Sequence, residues 1–140
     1  EGEHGPGWVS LLARDYAWSR RADVLNRGFG GYTSRLLLDN LAAILPADRE
    51  SVVAATVWLG ANDTHRPGHP LHVGVDDYEC NLAHMLRMLA AQLPSAQRLC
   101  LTPAPIDADA WKAYSLRASD GQDDGGGLGD ARLLRYVEAC

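Results

Sequence analysis

Residues Val52 to Leu59 constrain the fold more than any other segment. The run Val52-Val53-Ala54-Ala55-Thr56-Val57-Trp58-Leu59 is nearly unbroken in apolar character and carries three valines. Branched and aromatic side chains favour extended backbone. A strand wetted on one face alternates polar and apolar residues, so a continuous run predicts burial on both faces, as in a parallel sheet. Gly60-Ala61-Asn62-Asp63 follows at once and predicts a turn at the carboxyl end of that strand.

The remaining segments repeat this alternation. Ala22 to Leu25 is a second β-prone run, ended by Asn26 and the turn Gly28-Phe29-Gly30-Gly31. Arg98 to Thr102 is a third, closed by Pro103 and Pro105. Between and around them lie helical periodicities. Trp8 to Ser19 spaces Trp8, Leu11, Leu12 and Tyr16 along one face. Thr33 or Ser34 caps a helix bearing Leu37, Leu38, Leu41, Ile44 and Leu45, and Pro46 ends it. Asp76 or Asp77 caps another, with Tyr78, Leu82, Met85, Leu86 and Leu89 on one face and Pro94 beyond. Ala131 to Cys140 reads as a last helix, and Ser119 to Gly129 as a surface loop rich in glycine and aspartate. Strands alternating with helices predict βαβ units and an α/β class.

Composition narrows the function classes. The 140 residues suit one domain. The formal charge is −5 with scattered basic residues, which argues against a nucleic-acid partner. No run of roughly 18 apolar residues occurs, so no membrane span is expected. Cys80, Cys100 and Cys140 are an odd count without metal-like spacing, which suits free thiols and a reducing, cytoplasmic setting. The chain opens Glu1-Gly2-Glu3-His4 without a leader pattern and stops at Cys140 inside a helical pattern. We therefore expect a single partial domain, residues 1–140, from within a longer chain.

In parallel sheets, ligand-binding groups sit on loops at the carboxyl ends of strands. Two such turns stand out, Asn26-Arg27-Gly28-Phe29-Gly30-Gly31 and Gly60-Ala61-Asn62-Asp63. Glycine lets backbone N–H groups approach a ligand, and asparagine adds a side-chain NH₂ donor. Together they form the donor set of an oxyanion hole.

These blocks resemble those of the SGNH, or GDSL-type, hydrolases. The wider pattern resembles the isoamyl acetate-hydrolysing esterase branch: Asn26 to Tyr32, then Gly60 to Asp63, then Thr102-Pro103-Ala104-Pro105 with Trp111. Gly30 departs from it, since relatives often carry serine there. The resemblance implies a flavodoxin-like, three-layer fold with strand order 2-1-3-4-5, incomplete in this chain. It implies a serine esterase of short-chain acyl esters that needs no cofactor. Gly31 and Asn62 then take the oxyanion-hole positions. The family's Gly-Asp-Ser block and its Asp-x-x-His block are expected outside these residues, so the 140-residue chain alone is expected to be inactive.

Other residues have plainer readings. Ser10 reads as mid-helix and lacks the glycine of a nucleophile elbow. Asp120-Gly121 is followed by no histidine. His65, His69 and His72 share a proline-rich loop, for which solvation is the expectation and zinc the alternative. Trp58 is expected in the core, or against an acyl chain. His84 is expected at the surface, and Asp63 is expected to brace its own turn. Asp107 and Asp109 form a turn or face the cleft. Two other functions stay open. Gly28-x-Gly30 after a strand suggests a nucleotide-binding α/β domain, although the third glycine is replaced by Thr33. A non-catalytic binding domain of the same fold is the other.

Overall fold

In the computed structural model the central apolar run becomes strand β1 (Ala54–Trp58), which pairs in parallel with β2 (Gln97–Leu101). The register sets Ala54 against Gln97 and Trp58 against Leu101. A parallel pair needs a crossover, and helix α3 (Val75–Gln92) supplies it. The chain is thus α/β with a parallel pair of strands among the described residues. The structure describes residues 5–19, 21–105, 107, 109, 110, 113 and 131–140. Trp111 and the expected loop 119–129 fall outside them.

The chain divides into two compact units, Glu1–Gly30 and Gly31–Cys140. In the first, α1 spans Trp8–Ser19 and none of its residues is buried. Ser10 lies in its first turn, rather than mid-helix, with its N–H on the Gly7 carbonyl at 2.9 Å. The strand expected at Ala22–Leu25 is absent: those residues join no ladder among the described residues. A run of four β-prone residues does not hold a strand without a partner to pair its backbone.

The second unit holds the core. Helix α2 (Ser34–Ile44) starts after the N-cap Thr33, whose hydroxyl accepts the Leu36 N–H. It ends at Leu45, which is extended because Pro46 disfavours helical backbone before it. Helix α3 places Tyr78, Leu82, Met85 and Leu89 inward, three to four residues apart, against Leu41 of α2 and Val57 of β1. Its N-cap is Gly74, with no side-chain bond. Asp76 and Asp77 lie in the first turn instead, where their charge faces the positive end of the helix dipole. Helix α4 (Ala131–Glu138) adds Tyr136, whose ring meets Tyr78 edge-on at 5.2 Å. Among the described residues no helix is long and apolar enough to cross a membrane.

Burial along β1 alternates, in contrast to the expected burial on both faces. Ala55, Val57 and Leu59 join the core, whereas Ala54, Thr56 and Trp58 are exposed. The reason is that Leu41 of α2, Tyr78 and Leu82 of α3 and Tyr136 of α4 share one core cluster with Val57, on the face that Ala55 and Leu59 also join. Trp58 is therefore not a core residue: it is 45% exposed, and its indole N–H donates to the Thr102 carbonyl at 2.9 Å.

Candidate active site

Two turns of the second unit meet at the start of α2. The first is Gly31–Ser34. Gly31 has φ +80°, in the left-handed region that side chains with a Cβ avoid. Among the described residues no atom lies within 4 Å of where its Cβ would stand, so its backbone borders open space. The second is Gly60–Asp63, at the carboxyl end of β1. Gly60 has φ +110°, and a Cβ there would stand 2.4 Å from the Pro103 ring and 3.1 Å from the Tyr78 hydroxyl. That turn closes on itself through Thr64 N–H to Gly60 carbonyl (3.1 Å) and Thr64 hydroxyl to Ala61 carbonyl (2.8 Å).

Adjacent residues of the two turns are bonded pairwise. The Asn62 side-chain amide donates to the Tyr32 carbonyl at 2.8 Å, which brings it within one residue of Gly31. Asp63 is fully buried, and its carboxylate accepts the Ser34 N–H at 2.9 Å and the Ser34 hydroxyl at 2.5 Å. The Asn81 amide of α3 donates in turn to the Ser34 hydroxyl at 3.0 Å. Below the turn, the Tyr136 hydroxyl donates to the Val73 carbonyl and to the Asp63 carbonyl. Asp63 also accepts Val73 N–H through its own carbonyl at 3.2 Å.

Burial raises the Asp63 carboxyl above the ordinary value of 3.8. Its bonds from the Ser34 side chain and backbone, and lesser ones from the backbone of Asp63 and Gly60, oppose that rise. Desolvation outweighs them because a carboxylate in the interior loses its hydration shell.

The structure thus ties the Asn62 amide to Tyr32, the residue that follows Gly31. Asp63 does more than brace its own turn, since its carboxylate reaches a partner 29 residues away. Ser34 had only a local signal as a cap candidate, and Asn81 and Tyr136 had none, because each acts on a turn remote in sequence. Asn26–Gly30 belongs to the first unit, where the Gly28 N–H donates to the Asn26 side chain at 3.0 Å. Among the described residues no strand precedes that turn, so the context of a dinucleotide fingerprint is missing there. His84 is exposed, as expected. The histidine loop is less solvated than expected: His65 is buried, its ring edge-on to His69 at 4.0 Å. Asp107 takes the turn-forming option, accepting the Ala110 N–H at 2.9 Å. Asp120 lies outside the described residues.

The profile of the GDSL-like lipase/acylhydrolase family matches residues 1–123. The chain is 39% identical over 111 residues to an isoamyl acetate-hydrolyzing esterase 1 homolog of Rattus norvegicus, covering 76% of this chain and 44% of that protein. It is 38% identical over 113 residues to a GDSL esterase/lipase of Arabidopsis thaliana, covering 78% and 46% respectively. With the isoamyl acetate-hydrolyzing esterase of Saccharomyces cerevisiae the identity is 33%, over 74% of this chain and 41% of that protein. The chain spans less than half the length of these curated relatives. With the family profile covering both turns, the chain belongs to the GDSL-like lipase/acylhydrolase family.

Proposed function

We propose that these residues supply the oxyanion-binding part of a serine esterase that hydrolyses short-chain acyl esters. The observation that carries this reading is the bond from Asn62 to the Tyr32 carbonyl, which sets the amide beside Gly31. An amide nitrogen has two hydrogens. One is held by Tyr32, and the other serves the substrate oxygen together with the Gly31 N–H. When a serine attacks the ester carbonyl, charge collects on that oxygen, and fixed donors lower the barrier to its formation.

The serine, and the histidine that accepts its proton with an aspartate orienting it, belong to blocks that do not occur in these 140 residues. The whole of residues 1–140 then forms part of one hydrolase domain. A small ester is the partner, and no cofactor or metal enters the chemistry. The isoamyl acetate-hydrolyzing relatives support a short acyl group.

The test is Asn62→Ala in a protein that contains all the blocks. kcat falls by roughly 10² to 10³, with a smaller change in KM, because the donor acts mainly in the transition state. An unchanged kcat removes Asn62 from the oxyanion hole.

A further inference from the structure

Away from the two turns, the second unit gathers three reactive side chains that the ester chemistry does not use. Cys100 sits on β2 and packs against the core, while Cys140 follows α4 and is exposed. They are 40 residues apart in sequence, yet their sulfurs lie 3.1 Å apart. The third is the buried Tyr78 hydroxyl, which donates to the Leu59 carbonyl at 3.3 Å. A disulfide bond is about 2.05 Å long, so the sulfurs need to approach by only about 1 Å to be joined.

The two thiols differ in access. Burial, and then its bond to Cys140, hold the Cys100 thiol well above its usual range, so it stays protonated. Cys140 is the sulfur that solvent reaches. We propose that Cys100 and Cys140 form a redox modification site, which closes to an intramolecular disulfide on reaction with a low-molecular-weight disulfide such as oxidised glutathione.

The Cys140 sulfur, as thiolate, attacks one sulfur of the reagent. The reagent's S–S bond breaks, a mixed disulfide forms at Cys140, and the first reagent thiolate leaves and takes up the proton Cys140 gave up. With the Cys140 thiol consumed in the mixed disulfide, its share in holding Cys100 protonated is gone. Cys100 then gives up its proton and attacks the Cys140 sulfur as thiolate. The mixed disulfide breaks, and the second reagent thiolate leaves with the Cys100 proton. The two cysteine sulfurs lose two electrons in all, and the reagent disulfide is reduced to two thiols. The product ties the end of α4 to β2. Because α4 carries Tyr136, which bonds to the Asp63 and Val73 carbonyls, the link anchors a helix that supports the asparagine turn.

The test incubates the full protein with oxidised glutathione and maps its disulfide-linked peptides, in native buffer and in concentrated urea. The expected result is a Cys100–Cys140 link that dominates in native buffer and gives way to statistical pairing in urea, with exposed Cys80 outside it. In Cys100→Ser a glutathione adduct persists at Cys140. In Cys140→Ser, Cys100 stays reduced. Statistical pairing in native buffer, or a Cys140 adduct that persists in the wild type, overturns the proposal. So does glutathione reacting with Cys100 in Cys140→Ser as fast as the wild type forms its link.

Discussion

The carboxylate of Asp63 reaches across 29 residues to accept both the N–H and the hydroxyl of Ser34, at 2.9 and 2.5 Å. Ser34 is the first residue of α2, so Asp63 satisfies one of that helix's otherwise unpartnered N–H groups. A negative charge at this end also suits the helix dipole. One side chain therefore joins the turn after β1 to the start of a helix that directly follows Gly31.

Removing that link destabilises the second unit. Asp63→Ala leaves two buried donors of Ser34 without their acceptor and costs about 3 kcal/mol, since each such group costs about 1 to 3. Asp63→Asn keeps one acceptor oxygen and costs about 1 kcal/mol. The check is the urea midpoint at unchanged slope. Equal losses for the two variants would show that the charge, not the acceptor, holds Ser34.

Acid changes the balance in a defined direction. The folded Asp63 carboxyl titrates above 3.8, so the folded protein holds this proton to higher pH than the unfolded chain. The stabilisation from proton binding is fully present below the unfolded value and is lost as pH rises through the folded one. The stability of wild type relative to Asp63→Asn therefore increases as the pH is lowered through that window. Urea titrations at stepped pH measure it. A wild type that loses ground to Asp63→Asn on acidification contradicts the raised carboxyl.

The two positive-φ glycines separate steric from conformational cost. Gly31→Ala meets open space, so only the left-handed backbone penalty of about 1 kcal/mol applies. Gly60→Ala adds a clash with the rigid Pro103 ring at 2.4 Å and costs about 2 kcal/mol or more. Thermal melts of the two variants rank them. A Gly60→Ala protein as stable as Gly31→Ala would mean that Pro103 yields freely.

The 140-residue chain itself shows no turnover of a p-nitrophenyl short-chain ester above background, because oxyanion donors achieve little without a nucleophile. Turnover that survives Asn62→Ala but disappears in Ser10→Ala would make Ser10 a nucleophile. The same chain melts below about 50 °C, under the usual mesophile range. Trp58 and Leu99 on its two described strands are exposed, as is Val53 just before β1. A cooperative melt above that temperature refutes the stability half.

Local pattern decided much of this protein. The helix at Trp8–Ser19, the Thr33 cap, the stop at Pro46, and the two parallel strands follow from spacing, capping and chain punctuation, all of which act within a few residues. The turns that hold Gly31 and Asn62 were legible from their glycines, whereas the roles proposed for the two residues come from the family resemblance. Tertiary structure alone decided which face of β1 is buried, because an apolar run does not say on which side its helices gather. It also turned Trp58 outward and left Ala22–Leu25 without a ladder, since a strand exists only with its partner. The bonds from Ser34 to Asp63, Asn81 to Ser34 and Tyr136 to Asp63 join residues 29, 47 and 73 positions apart. No local propensity encodes such bonds; they form only when packing removes water from both partners and leaves each the other's nearest polar group.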